Sequence, residues 1–166
     1  MSSTEAPARA RGARRLTPGI LAQLFGRGRE DELDLSTAVM LPIVGAMLAD
    51  GIVEEEELFQ IDAVCAFSPI FERNTSYENE LLILRATKLV EDHGLATMCE
   101  RAAALLSPAL RETAFAYAVK VIFSDGRYGE VEQAVIRDIR KALDVSEARA
   151  AMVIDVISVM RRGADA

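Results

Sequence analysis

The sequence predicts an all-α protein: a single helical domain of about seven helices built on a duplicated helical hairpin. Three observations lead there. Ala, Leu, Val, Glu and Arg dominate the chain and tryptophan is absent, on balance a helix-forming composition. Apolar residues recur at the three-and-four spacing of one helical face, and no stretch alternates as a half-buried strand would. The third observation is an internal repeat. Asp50-Gly51-Ile52-Val53-Glu54-Glu55-Glu56-Glu57-Leu58-Phe59-Gln60-Ile61 aligns with Asp125-Gly126-Arg127-Tyr128-Gly129-Glu130-Val131-Glu132-Gln133-Ala134-Val135-Ile136 at an offset of 75 residues (125 minus 50). Asp, Gly, two Glu and the final Ile are identical. An apolar stretch, a tight Asp-Gly turn and an acid-led amphipathic stretch are used twice, so each copy is expected to bury its apolar face against the other.

Residues 1–34 read as a basic flexible tail with a short helix and a linker, and residues 35–162 as the helical domain. The first fifteen residues are small, polar and basic, the composition of a disordered segment. Thr17-Pro18 supplies an N-cap followed by Pro at the first helical position, and Gly26 and Gly28 end that helix after Phe25. Its apolar residues Ile20, Leu21, Leu24 and Phe25 share one face. Two readings stay open for it: packing on the domain, or a basic-flanked anchor for peripheral membrane association.

In the domain, Ser36 is the expected cap of a helix whose residues 38–49 are apolar all round, the pattern of a buried helix. Pro42 removes one of its backbone bonds and predicts a kink. After Asp50-Gly51 a second helix runs from about 54 to 67, with Leu58, Ile61, Val64 and Cys65 inward, and Ser68-Pro69 stops it. Residues 69–75 form a long connection that Phe71 can pin to the core. Ser76 is the expected cap of a third helix. Leu82, Ile83, Ala86, Leu89 and Val90 form its inner stripe, Arg85 and Lys88 lie opposite, and His93-Gly94 closes it. A fourth helix covers about 95–106. Ser107-Pro108 starts a fifth, which matches the buried 38–49 helix and reaches Ser124 with Phe115, Val119, Ile122 and Phe123 as core. A sixth, about 130–143, aligns Val131, Val135, Ile139 and Leu143, and Ser146 caps a last helix bearing Met152, Val153, Val156, Ile157 and Met160.

Charge and chemistry narrow the function. The net charge of −7 divides into +4 on residues 1–30 and −11 on the remainder, and an acidic body argues against a nucleic-acid groove. The longest uncharged run, Leu35–Ala49, is too short to span a bilayer. The Arg-rich start lacks the apolar core of a secretory signal, and Pro7 and Gly12 disfavour the amphipathic helix of a transit peptide. Cys65 and Cys99 fall on apolar helical faces, as reduced core residues of a cytoplasmic protein do. With His93 the only histidine, no two-histidine zinc motif exists, and a serine triad would have to use a helix-end imidazole. The chain reads as a non-enzyme. The acidic turns are not EF-hands either: Gly follows the first Asp directly, and Glu arrives seven residues after it.

An apolar helix ending Met47-Leu48-Ala49-Asp50-Gly51, then Glu57, then an amphipathic helix, resembles the TerB-like tellurite-resistance family. Ile122-Phe123-Ser124-Asp125-Gly126 with Glu132 and Leu143-Asp144-Val145-Ser146 is similar to that family's second half. The resemblance covers about residues 35–160. It implies an all-helical bacterial cytoplasmic protein with a stress-response role, working in complexes that can reach the membrane. It also implies a divalent metal ion held by Asp50, Glu57, Asp125 and Glu132. Two departures stand in the second copy: Ser124 where Ala is usual, and Tyr128 where a branched apolar residue is usual. Two expectations therefore stand side by side: a module binding a divalent cation or a protein partner through its acidic turns, and an adaptor whose turn acids only cap helices.

Overall fold

The computed structural model describes residues 33–48, 55–124 and 129–163, all within one compact unit that begins at Leu33. These residues form seven helices: α1 Leu35–Met47, α2 Glu55–Phe67, α3 Ser76–His93, α4 Leu95–Leu105, α5 Pro108–Ile122, α6 Glu130–Ala142 and α7 Glu147–Met160. No strand occurs among them, so the all-α class holds. The tail with its Ile20–Phe25 stretch lies outside the described residues, as do both Asp-Gly turns.

Everything is arranged about α1. Every residue from Thr37 to Met47 is buried, which a helix apolar on all sides requires. Its most extensive contacts are with α5, the matching helix of the second repeat, then with α3 and α4. The second helix of each repeat also reaches the first helix of the other, α2 against α5 and α6 against α1. The duplicated hairpins thus pack face to face, as the repeat predicts. The helix runs through the buried Pro42 without ending, although proline leaves the Ala38 carbonyl without its usual intrahelical donor. Met40, Leu41, Ile43, Phe115 and Ile139 are among the largest fully buried side chains. Each contributes roughly 1.5–3 kcal/mol by leaving water.

A glycine sets how closely α4 approaches α1. A Cβ placed on Gly45 would stand 2.0 Å from Leu95 Cδ1 and 3.1 Å from Leu95 Cγ. Leu95 opens α4 directly after Gly94, whose φ of 84° closes α3 in the left-handed region that glycine tolerates.

Several local expectations change. The cap of α1 is Asp34 rather than Ser36: its carboxylate accepts the Thr37 N–H at 2.7 Å. Arg85 then faces inward rather than outward, 3.7 Å from Asp34 and 3.5 Å from the buried Thr37 hydroxyl. That pair of contacts ties the start of α1 to α3. Thr75, not Ser76, caps α3. Its hydroxyl accepts the Glu78 N–H at 3.2 Å, and Glu78 returns to accept the Thr75 N–H at 2.7 Å. This is a complete capping box. Leu58 and Val131, expected inward, are 43% and 51% exposed. The rest of each stripe is better covered: Ile61, Val64 and Cys65 on α2 and Ile139 on α6 are buried as expected, and Ile136 joins them.

Other expectations hold. Ser107 and Ser146 cap α5 and α7 through the Leu110 and Arg149 N–H groups, each at 3.3 Å. Phe71 is buried and fixes the connection before α3. No helix among the described residues is long and apolar enough to cross a membrane.

Candidate functional site

Glu57 and Glu132 occupy the same place in their helices. Glu55 opens α2 and Glu130 opens α6, so each glutamate is the third helical residue, from which a carboxylate reaches back to the N-cap amide. At α6 that contact is formed: Glu132 Oε2 accepts the Gly129 N–H at 2.8 Å. Gly129 has no side chain, so only the returning half of a capping box exists. The missing Cβ also leaves room, since one built there would lie 2.9 Å from the same carboxylate oxygen. Glu57 is half-buried at the matching position on α2. Negative charge in both first turns, Glu55, Glu56 and Glu57 on α2 and Glu130 and Glu132 on α6, suits the positive end of each helix dipole. Asp50 and Asp125 lie outside the described residues. Among those described, no three His, Cys, Asp or Glu side chains converge as a metal centre would require.

Ser124 is buried, and its hydroxyl has no hydrogen-bond partner among the described residues. Its carbonyl accepts from the Arg161 guanidinium, which fastens the end of α7 to the end of α5. Arg149 adds a second tie between the same helices, 3.1 Å from Glu112.

The two cysteines are free and buried, in line with the reading of them as reduced core residues. Burial, reinforced by the negative charge of Asp62, pushes the Cys65 thiol up to about 11. Burial and then Glu100 push Cys99 to about 12. Both stay protonated at neutral pH and are poor nucleophiles. His93 ends α3 and is exposed, in the C-terminal position expected of it, and its charge is one of the influences holding the neighbouring Asp92 carboxyl low, behind the Lys88 hydrogen bond.

Two features escape sequence reading. Ala150, Val153, Ile154 and Ile157 turn α7 toward the core, while Met152, Val156 and Met160 stand 59%, 56% and 75% exposed on its other side. Helical spacing places both sets on one apolar helix without saying which is covered. A cavity bounded by α2, α3 and the connection between them is the second. It joins residues from three segments, and no local pattern announces it.

No family model, curated protein or solved structure matches the chain.

Proposed function

We propose that the chain is a non-enzymatic, TerB-like helical module that acts by binding a protein partner, its turn glutamates serving as helix caps. The observation that carries this reading is the Glu132 carboxylate folded back on the Gly129 amide at 2.8 Å. A carboxylate in that position has a structural task without any ion, and Glu57 shares its register. The exposed apolar side of α7 supports the partner half of the reading, because contiguous apolar surface rimmed by charge is typical of interaction sites. The family resemblance adds a stress-response role and a competing use of the same acids, a divalent cation held by Asp50, Glu57, Asp125 and Glu132.

Glutamine separates the two uses. Capping needs only an acceptor oxygen, whereas a hard cation needs the carboxylate charge. Glu132→Gln, which keeps the acceptor and gives up only the charge on the helix dipole, is expected to melt in chelator closer to the parent than Glu132→Ala, which also loses a hydrogen bond worth about 0.5–1.5 kcal/mol. Calorimetric titration of the parent protein with Mg²⁺, Ca²⁺, Mn²⁺ and Zn²⁺ is expected to show no binding at millimolar concentration. Cation binding that disappears in Glu57→Gln or Glu132→Gln, with melting unchanged, would replace the capping reading by the metal one.

A further inference from the structure

Helix α7 is apolar on two sides, and only one of them is covered. It packs chiefly on α5, with Ala150, Val153, Ile154 and Ile157 turned to the core. On the opposite side Met152, Val156 and Val159 follow the i, i+4, i+7 spacing of one helical face, with Met160 one turn beyond Val156. All four are at least 45% exposed. Ala148 and Ala151, also exposed, extend the strip toward the start of the helix. Large apolar side chains gathered on one helix differ from the scattered exposure that any surface shows.

The charges along the strip point to what covers it. Five charged residues lie between positions 147 and 162. Three are engaged within the chain: Glu147 with Arg140, Arg149 with Glu112, and Arg161 with the Ser124 carbonyl. The other two, Asp155 and Arg162, are exposed and in no ion pair among the described residues. Their seven-residue spacing sets both on the same edge of the strip, roughly 10 Å apart along the axis. Opposite charges on one edge make that edge complementary to itself. When identical helices pair antiparallel about a two-fold axis, each edge meets the same edge of the other copy running the opposite way. Asp155 of either copy then faces Arg162 of the other, while Val156 and Val159 cross at the axis. A parallel pairing would set like charges together and align the two helix dipoles. A uniformly acidic or basic partner would satisfy one of the two charges and oppose the other.

We infer that α7 is a self-association face, on which two copies of the chain pair through antiparallel α7 helices. Met152, Val156, Val159 and Met160 form its apolar centre, and two Asp155–Arg162 ion pairs close one side. The inference rests on the proposed protein-binding role of the exposed side of α7 and names the partner. The strip is one helix wide and falls short of the ~800 Å² that each partner buries in a standard interface. The dimer is therefore expected to dissociate in the micromolar range.

Sedimentation equilibrium of the full chain, from micromolar to millimolar concentration, tests it. A monomer–dimer equilibrium is expected, and Val156→Arg should abolish it. Asp155→Arg and Arg162→Asp should each weaken the dimer at least about tenfold, because the two-fold axis makes every substitution count twice. The double variant Asp155→Arg with Arg162→Asp restores opposite charges and should dimerise within about threefold of the parent. Asp138→Arg, an equal change of charge on the exposed side of α6, should leave association unchanged. Asp155 and Arg162 are exposed and unpaired, so their variants should melt like the parent at low concentration. A chain that stays monomeric at millimolar concentration overturns the inference, as does a dimer that survives Val156→Arg or single reversals that the double variant does not rescue. A monomer that co-sediments with phosphatidylglycerol vesicles overturns it in favour of a membrane surface. Failure of the wider reading looks different: cation binding lost in Glu57→Gln or Glu132→Gln, with the oligomeric state of the parent unaffected.

Discussion

Replacing Gly45 by alanine sets helix propensity against packing, and the structure says which should win. In the middle of a helix, alanine is favoured over glycine by about 1 kcal/mol. Here the new methyl group would lie 2.0 Å from Leu95 Cδ1 and 3.1 Å from Leu95 Cγ. Turning the end of the leucine moves Cδ1 but leaves Cγ in place, so the whole side chain must change rotamer or α4 must shift. Overpacking of this kind costs about 1–3 kcal/mol. The net expectation for Gly45→Ala is a loss of about 1 kcal/mol, or a fall in Tm of about 2–4 °C for a chain of this size. Leu95→Ala removes the obstacle, so in that background the same change should stabilise by about 1 kcal/mol. A double-mutant cycle by urea and thermal melts should therefore report a coupling near 2 kcal/mol. A stabilised Gly45→Ala single variant, or effects that add within about 0.5 kcal/mol, would refute the close approach of α4 to α1.

Truncating the fully buried Phe115 to alanine should cost about 3–5 kcal/mol by denaturant titration, because α5 lies against α1 at the centre of the core. Thr75→Ala should cost about 1 kcal/mol and accelerate amide exchange in the first turn of α3. The Thr75 backbone N–H, and then its hydroxyl, hold the Glu78 carboxyl below its ordinary value, so the stabilisation is present above about pH 4.3 and lost as pH falls through the lowered folded value. The urea midpoint of Glu78→Gln should accordingly fall less than that of the parent between pH 5 and acid, to the order of this one group. Iodoacetamide at pH 8 should leave Cys65 and Cys99 unmodified in the folded protein and alkylate both in denaturant, read by intact mass, since burial holds the two thiols at about 11 and 12.

What the sequence reveals is mostly what neighbouring residues decide between themselves. Ser107-Pro108, Ser146 and His93-Gly94 mark helix ends by local chemistry, and the structure places ends there. The misplaced caps are competitions between residues of similar chemistry. Thr75 wins over Ser76 because Glu78 stands three residues after it and completes the reciprocal pair, a pattern already present in the sequence. Asp34 wins over Ser36 with help from Arg85, forty-eight positions beyond Thr37, which no local window contains. Leu58 and Val131 show a different limit: a heptad-like spacing names a face, while burial depends on what other helices cover. At the candidate site, the third-residue register of Glu57 and Glu132 is legible because it counts from a helix start. The cavity beside α2 is not, because its lining comes from three segments that are brought together only when α2 and α3 fold against the connection between them.

The burial of α1 on every side has a consequence for how the chain is made. Its principal partner, α5, ends at Ile122, 75 residues after α1 ends at Met47 (122 minus 47). At a synthesis rate of about 5–20 residues per second, the thirteen residues of α1 spend roughly 4–15 s without the helix that covers them most. During that interval the most apolar segment of the domain has only the less extensive surfaces of α2, α3 and α4 to rest on. The centre of the finished protein is therefore its most aggregation-prone part in the nascent chain, and the order in which the two hairpins emerge makes the first depend on the arrival of the second.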